Sequence, residues 1–250
     1  IPAAGAGTAA PLFVAWQDPE SGHRRVSAAQ TLSGGSGARP NKDGVEGAEF
    51  SNFTRNIPIE VLEQEAPVEI LRYSLREDSA GAGTMRGGSG VEFTFRCLAP
   101  EMVLTARGLE RFHFRPWGLA GGRPGTPARA TLNPGTPEAR DLGKVDVQPL
   151  RAGDVIQFLT PGGAGYGPPL LRDPERVAID VRDGLVSRES ARGEYGVVID
   201  PAGHLDLEAT SRLRRVMGEG RATSGGADPE VDFGPERRRY DGFRFRSVQG

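Results

Sequence analysis

The chain has 250 residues and a formal net charge of -2, with 31 basic and 33 acidic side chains. This near-neutral balance argues against a nucleic-acid partner, because nucleic-acid-binding domains carry a clear surplus of basic residues. Glycine (36) and proline (20) are abundant and cluster at the ends of apolar runs, which predicts a folded, turn-rich protein.

The sequence lacks the features expected of disulfide-bonded, metal-binding, membrane-spanning and secreted proteins. One cysteine, Cys97, cannot form an internal disulfide, and its alternating surroundings "VEFTFRCL" indicate a small strand residue. Three scattered histidines argue against a self-contained metal site, so we expect none in this chain. No apolar run approaches the ~18 residues of a membrane span, and the start lacks a secretory signal. We therefore expect a cytoplasmic protein with no membrane partner.

Apolar alternation in chain order predicts a mainly β (α+β) fold of antiparallel strands with long Gly/Pro loops and a few short helices. Strands are expected within 12–16, 68–78, 91–100, 101–108, 128–135, 144–160 and 196–200. Helices are expected near 58–66, 174–192 and 207–217, with Asp173 and Ser187 as N-caps. Residues 218–250 lack apolar periodicity, so we predict a unit over 1–217 and an extended or partner-bound tail over 218–250.

The stretch "TPGGAGYGPPLLRD" (160–173) invites a phosphate-binding interpretation. It lacks the Lys-Ser/Thr pair of a P-loop, and two prolines follow its last glycine. The next helix begins only at Asp173, whose charge would repel an anion. We therefore predict a structural loop that seats Tyr166.

Polar side chains on two segments are the candidates for chemistry. The loop 37–47 carries Arg39 and Asp43, and the segment around the first helix carries Arg55, Asn56 and Glu60. Glu60 shares a helix face with Glu63, and paired carboxylates can act as acid and base or simply form a solvated face. Arg107 and Arg111 lie in the region of "RFHFRPW" (111–117) and either bind an anion or form surface ion pairs.

Several segments, which follow one another in the same order as in a known family, together cover roughly residues 30–200 and carry a family resemblance. They include "GGSGARPNKDG", "SNFTRNIPIEVLEQEAPVEILRYSLREDSAGAGTMRGGSGVEF", "RPWGLAGGRPG", "LNPGT" and "AGDVIQFLTPGGAGYGPPLLRD". The chain resembles the C-terminal part of the hydantoinase B / oxoprolinase family. Members work as B-type subunits together with an A-type subunit that holds ATP and Mg, and the pair opens cyclic amides such as 5-oxoproline.

Polarity and loop position within the matched motifs suggest roles for the candidate residues. On the matched motifs, Asp43 and Glu60 are the candidate catalytic groups, and Arg39, Arg55, Asn56 and Arg107 are the candidate substrate-binding groups. Full-length members are much longer, and their His- and Asp-containing segment, which resembles a divalent-metal site, lies in an N-terminal half absent here. A chain carrying that half is therefore an expected partner. Since this chain begins at Ile1, we expect a split subunit, a cleavage product or a fragment.

Three functions remain open at this point. The first is part of the B-type subunit of an ATP-dependent cyclic-amide hydrolase that acts on a small-molecule substrate. The second is a subunit of an ATP-dependent ketone carboxylase of the acetone or acetophenone type, which the same motifs fit. The third is a non-catalytic scaffold chain whose tail holds such a complex together.

Overall fold

Antiparallel strands dominate the fold, as the sequence predicts. A computed structural model describes residues 1–7, 9–47, 56–223 and 231–232. Within these ranges the strands form two larger sheets and two short strand pairs, and four α-helices lie outside the sheets. None of the helices in these ranges combines the length and the apolar character needed to cross a membrane.

The elements follow one another along the chain in this order. The strands are β1 Ala10–Gln17, β2 Arg24–Leu32, β3 Val68–Leu75, β4 Val91–Cys97, β5 Glu101–Ala106, β6 Gly118–Leu119, β7 Arg129–Leu132, β8 Arg140–Asp141, β9 Val147–Arg151, β10 Val155–Leu159, β11 Val198–Ile199, β12 Leu205–Asp206 and β13 Val231–Asp232. The helices are α1 Ile59–Glu65, α2 Pro174–Arg182, α3 Arg188–Gly193 and α4 Leu207–Thr223.

The two larger sheets share one apolar core. The first sheet has the order β2-β1-β5-β9 and the second the order β3-β4-β10-β7-β8, with neighbours antiparallel throughout. Burial alternates along β1 as its side chains do, so one face is turned inward. The core combines aliphatic side chains of the first sheet with aromatic ones of the second, among them Leu12, Leu104, Leu150, Phe93, Phe95 and Phe158.

A short turn carries the chain from one sheet to the other. Residues 152–154 ("AGD") form this turn, and β9 and β10 lie on either side of it. The two strands belong to different sheets, however, because β9 pairs with β5 and β10 pairs with β4 and β7. Cys97 ends β4 fully buried in the shared core, as its alternating context predicts.

The predicted helices are confirmed in position. Asp173 caps α2 by accepting a hydrogen bond from the Glu175 amide at 3.0 Å, and Ser187 caps α3 through the Ser190 amide at 3.0 Å. α2 and α3 enclose a second small core with Val177, Val186 and Tyr195. α4 extends to Thr223, six residues past the predicted 217. Most of the predicted tail lies outside the described residues, so its division from 1–217 stays a prediction.

Three glycine segments pack backbone against backbone between the sheets and these helices. We call segments 34–37, 87–90 and 162–165 the glycine layer. A Cβ on Gly35 would lie 1.8 Å from the Gly88 carbonyl oxygen, and one on Gly163 would lie 1.9 Å from that of Ser36. The Gly88 amide donates to Ser36 O at 2.9 Å, and the Gly163 amide donates to Gly88 O at 2.8 Å. Only glycine permits such close approach.

The glycine layer decides the interpretation of "TPGGAGYGPPLLRD". Its amides donate to carbonyls of the protein: Gly163 to Gly88, Gly165 to Arg123 at 2.9 Å, and Tyr166 to Met85 at 2.9 Å. A phosphate-binding loop needs such amides turned toward the ligand. The stretch is therefore a structural loop, as predicted.

Candidate functional site

Five charged side chains meet where the glycine layer contacts α2. We call Asp43, Glu46, Arg86, Arg172 and Asp180 the buried ion cluster. The Arg172 guanidinium donates to both oxygens of Asp43, at 2.7 and 2.8 Å, and lies 2.9 Å from an Asp180 oxygen. The Arg172 side chain is only 2% exposed, so its charge lies in the interior, whereas the Asp43 side chain is partly exposed.

Arg86 forms the other half of the buried ion cluster. Its Nη2 donates to Glu46 Oε1 at 2.7 Å, its Nε lies 3.4 Å from Asp180 Oδ1, and its backbone amide donates to Asp43 Oδ1 at 2.7 Å. Two arginines thus face three carboxylates, and each charge has an opposite charge nearby. That arrangement offsets much of the cost of removing them from water.

The cluster joins parts of the chain that are far apart in sequence. Asp43 lies on the loop after β2, Arg86 precedes the second glycine segment, Arg172 directly precedes the α2 cap, and Asp180 lies within α2. The carbonyl of Arg172 also accepts from Arg214 Nη2 at 2.7 Å, so α4 is tied to the same point. The cluster therefore fixes the helices against the glycine layer.

Burial and pairing set the protonation of these groups. Burial alone would raise the pKa of Asp43, but the hydrogen bond and charge of Arg172 outweigh it and lower this pKa below its usual range. Burial would lower the pKa of Arg172, and the carboxylates of Asp43 and Asp180 raise it instead. Burial raises the pKa of Tyr195 beside the cluster. At neutral pH Asp43 and Arg172 therefore stay charged and Tyr195 stays a neutral phenol.

The lowered pKa of Asp43 predicts a specific dependence of stability on pH. Because the folded pKa lies below the unfolded value, the ionised carboxylate stabilises the fold above the unfolded pKa of about 3.9, and this contribution disappears as the pH falls through the folded pKa. We expect Asp43→Asn to be less stable than the parent at pH 7 and the difference to shrink below pH ~4.

Urea unfolding of both proteins between pH 3 and 7 measures this difference. Asp183→Asn is the matched control, because Asp183 is 48% exposed beside Arg182 and outside the cluster. A stability difference for Asp43→Asn that stays constant down to pH 3 would contradict the expected linkage.

The predicted site residues lie in different surroundings. Asp43 is held by Arg172, and Glu60 is exposed on α1. Arg39 is exposed, and its backbone amide donates to the Lys42 carbonyl at 2.9 Å. Asn56 accepts from the Tyr73 hydroxyl at 2.7 Å.

Of the remaining two predicted residues, Arg107 and Arg55, the structure describes only Arg107. Arg107 is 70% exposed and lies 3.6 Å from Asp146, so it makes the surface ion pair that the sequence left open. Arg55 lies outside the described residues. The structure thus gives Asp43 charged partners of its own, and the catalytic and substrate-binding roles of all six residues stay predictions.

Sequence reasoning missed Arg172, Arg86 and Asp180. The signal available was an arginine in "PLLRD", between apolar residues and a helix cap, where a buried cation needs partners.

A polar cleft of ≈ 180 Å³ opens beside the cluster, lined among others by Asp78, Arg123, Glu194 and Tyr195. Glu194 lies 3.7 Å from Arg123. Across the described ranges, no three His, Cys, Asp or Glu side chains converge as metal ligands would.

Comparison of the sequence with models of known protein families shows which family the chain belongs to. The family model described as Hydantoinase B/oxoprolinase matches residues 1–169. The chain belongs to the hydantoinase B/oxoprolinase family. This membership confirms the resemblance expected from the quoted motifs.

Relatives within the family differ in the reactions that their names state. The B subunit of a putative D-/L-hydantoinase from a Pseudomonas species is 35% identical over 190 residues, covering 74% of this chain and 31% of the relative. The beta subunit of the Pseudomonas jessenii caprolactamase is 41% identical over 165 residues, covering 62% and 27%. The delta subunit of the Aromatoleum aromaticum acetophenone carboxylase is 31% identical over 224 residues, covering 76% and 33%. The chain thus spans about a third of these relatives.

Two solved structures share the fold. The ATP-dependent caprolactamase from Pseudomonas jessenii matches with a TM-score of 0.69 and 32% identity, covering 86% of this chain and 38% of the other. A nucleotide-free acetone carboxylase matches with a TM-score of 0.71 and 21% identity, covering 89% and 35%. At that lower identity the second match speaks for the fold alone.

Proposed function

We propose that this chain is part of the B-type subunit of an ATP-dependent cyclic-amide hydrolase of the hydantoinase, oxoprolinase or lactamase type. The observation that carries the proposal is the likeness to caprolactamase, which appears both in sequence and in the solved structure. The chain is also similar to the B subunit of a putative hydantoinase, and hydantoins are cyclic amides as well. This similarity supports the same class of reaction.

The chemistry explains why ATP takes part. Resonance with nitrogen makes an amide carbonyl a poor electrophile. ATP would supply a phosphoryl group to the carbonyl oxygen, with release of ADP, and the resulting phosphoimidate is a better electrophile than the amide. Water would add to its carbon, the ring C–N bond would break as the nitrogen takes up a proton, and hydrolysis of the acyl phosphate so formed would release phosphate and leave a carboxylate. We propose that ATP and Mg are held by an A-type partner subunit and that this chain supplies part of the substrate cavity.

A divalent metal would then belong to another part of the assembly. The described residues of this chain bring no set of ligands together, and the relatives extend well beyond the segment it matches. We propose that a chain carrying the N-terminal half of the family's B-type subunit completes the site. Asp43 and Glu60 remain our candidate catalytic groups, with Arg39, Arg55, Asn56 and Arg107 as candidate substrate contacts.

Purified complexes test this proposal directly. Native mass spectrometry of the complex should show an A-type subunit together with a chain carrying the missing half. The same preparation should open at least one lactam or hydantoin with stoichiometric ATP consumption and no turnover without ATP. Consumption of ATP coupled to bicarbonate, with no cyclic amide opened, would rule the proposal out.

The candidate role of Glu60 is tested in the same assay. If its carboxylate transfers a proton, Glu60→Gln should lower kcat by about 10²-fold or more while the complex still assembles. Glu65→Gln is the matched control, because Glu65 is exposed on the same helix and outside the candidate set. Equal rates for both variants would remove Glu60 from the candidate site.

A ketone carboxylase is the second candidate function. The match to the acetophenone carboxylase delta subunit extends over more residues than those to the hydantoinase and caprolactamase subunits. Carboxylation requires a ketone and bicarbonate in place of a cyclic amide. The same purified complex, supplied with ATP, bicarbonate and a methyl ketone, separates the two functions by whether a carboxylated product forms.

A further inference from the structure

A cleft rich in arginine lies between the end of β3, the start of β7 and the loop after β5. We call it the basic cleft and define it by Arg76, His113, Arg115, Arg129 and Asp141. Its volume is ≈ 460 Å³, within the usual size range of small-molecule sites. Arginines outnumber the one carboxylate in its lining, so the cleft attracts anions.

Arg76 is the cation that most needs an anionic partner. Its Nη1 donates to the carbonyl oxygens of Pro127, at 3.4 Å, and Thr160. These acceptors are neutral, and among the residues that the structure describes no carboxylate forms an ion pair with Arg76. Burial lowers the pKa of Arg76 to about 10, the charge of Glu92 opposes this shift, and the charge of Arg129 adds to it.

The other charges of the cleft do not neutralise Arg76. Arg129 is exposed at the start of β7 and repels it. Asp141 turns one oxygen to its own loop, accepting from the Gly143 amide at 2.8 Å. An oxyanion between Arg76 and Arg129 would remove the repulsion and receive the forked hydrogen bonds that guanidinium groups give to carboxylates and phosphates.

The walls of the basic cleft are held by bonds within the protein. The Thr126 hydroxyl donates to the Ser79 carbonyl at 3.0 Å, and the Ala128 amide donates to the Arg111 carbonyl at 3.1 Å. The Arg111 guanidinium lies 4.9 Å from the centre of the Trp117 ring, where a cation is attracted to the ring face. The backbone around the cleft therefore needs little reordering to receive a ligand, which favours binding.

A neighbouring hollow gives room for more than an isolated ion. It has a volume of ≈ 360 Å³ and shares Phe112 and His113 with the basic cleft. Its far side carries Lys144, which is paired with Glu110 at 3.1 Å. A ligand with an anionic head in the basic cleft can therefore place an organic body against Phe112.

From this geometry we infer that the basic cleft binds a small organic oxyanion, with its carboxylate or phosphate head between Arg76 and Arg129. The inference deepens the proposed function and rests on it, since opening a cyclic amide creates a carboxylate and ATP use releases phosphate. Binding is measured on this chain without turnover, so the two proposals can fail separately.

Isothermal titration calorimetry on the full 250-residue chain tests the inference. Inorganic phosphate and glutarate are the two probes, and chloride at the same ionic strength is the reference for unspecific screening. We expect saturable binding of at least one probe. Preference for phosphate assigns the cleft to a phosphoryl group, and preference for glutarate assigns it to a carboxylate.

Three variants locate the binding. Arg129→Gln should weaken it about tenfold or more, because one charge-assisted hydrogen bond is lost. Asp141→Asn should strengthen it several-fold by removing the opposing charge, which a merely destabilised protein would not do. Arg182→Gln is the control, because Arg182 is 72% exposed on α2 and should leave binding unchanged.

Two results would overturn the inference. One is that neither phosphate nor glutarate binds more tightly than chloride does at the same ionic strength. This result would also be obtained if the cleft accepts only an acidic segment of a partner chain, and the inference would fail in that case too. The other is that binding occurs with equal affinity in the parent, Arg129→Gln and Asp141→Asn proteins. Arg76→Gln is measured alongside, with its fold checked by circular dichroism, and should show the greatest loss of binding.

Discussion

Arg172→Ala is expected to lower the free energy of unfolding by about 3–5 kcal/mol. The substitution removes the cation between Asp43 and Asp180, and both carboxylates are then left without their closest opposite charge. The Asp180 side chain is only 8% exposed, so water cannot replace the lost guanidinium. Urea unfolding followed by circular dichroism measures the difference.

The control for this substitution is Arg182→Ala. Arg182 pairs with Asp183 at 3.0 Å but is 72% exposed, so its loss should change stability by less than about 0.5 kcal/mol. A double variant, Arg172→Met with Asp43→Leu, sharpens the test because it removes both partners and should recover part of the loss. Equal effects of Arg172→Ala and Arg182→Ala would show that the buried ion cluster does not stabilise the fold.

Gly163→Ala is expected to be comparably disruptive, with a loss of about 3 kcal/mol or more. The new methyl group would lie 1.9 Å from the carbonyl oxygen of Ser36 and 2.3 Å from its carbonyl carbon. Both are backbone atoms, so no side chain can rotate away to make room. The segments must separate, which breaks the hydrogen bonds that join them.

Gly193→Ala is the matched control for the glycine layer. Gly193 ends α3 with open space around it and without a left-handed backbone, so alanine should be neutral or slightly stabilising. Thermal unfolding of the two variants compares them directly. Should both keep the melting temperature of the parent, the close packing of the glycine layer would be disproved.

Local patterns in the sequence are enough to predict most of the fold. Alternation at Val91, Phe93 and Phe95 predicts β4, and the neighbouring run predicts its antiparallel partner β3. The caps at Asp173 and Ser187 predict where α2 and α3 begin. These features depend on side-chain period and on hydrogen bonds within a few residues, which a sequence displays directly.

Features that depend on distant partners cannot be predicted in the same way. Asp43 stands out in the sequence only as a polar loop residue, because its partner Arg172 lies 129 positions away. Arg76, Arg115 and Arg129 reach one cleft from three separate segments. The destination of β9 and β10 in different sheets likewise depends on pairing with β5 and β4. The spacing of residues along the sequence does not reveal such long-range contacts.

The hydrogen bonds of the glycine layer also bear on how this chain reaches its native state. The bonds from Gly88 to Ser36 and from Gly163 to Gly88 close chain loops of 52 residues (88 − 36) and 75 residues (163 − 88). Glycine loses more conformational freedom on ordering than any other residue, and distant contacts slow the search for the native arrangement. We therefore expect the glycine layer to assemble late in folding, and a partly folded chain that lacks it is exposed to aggregation for longer.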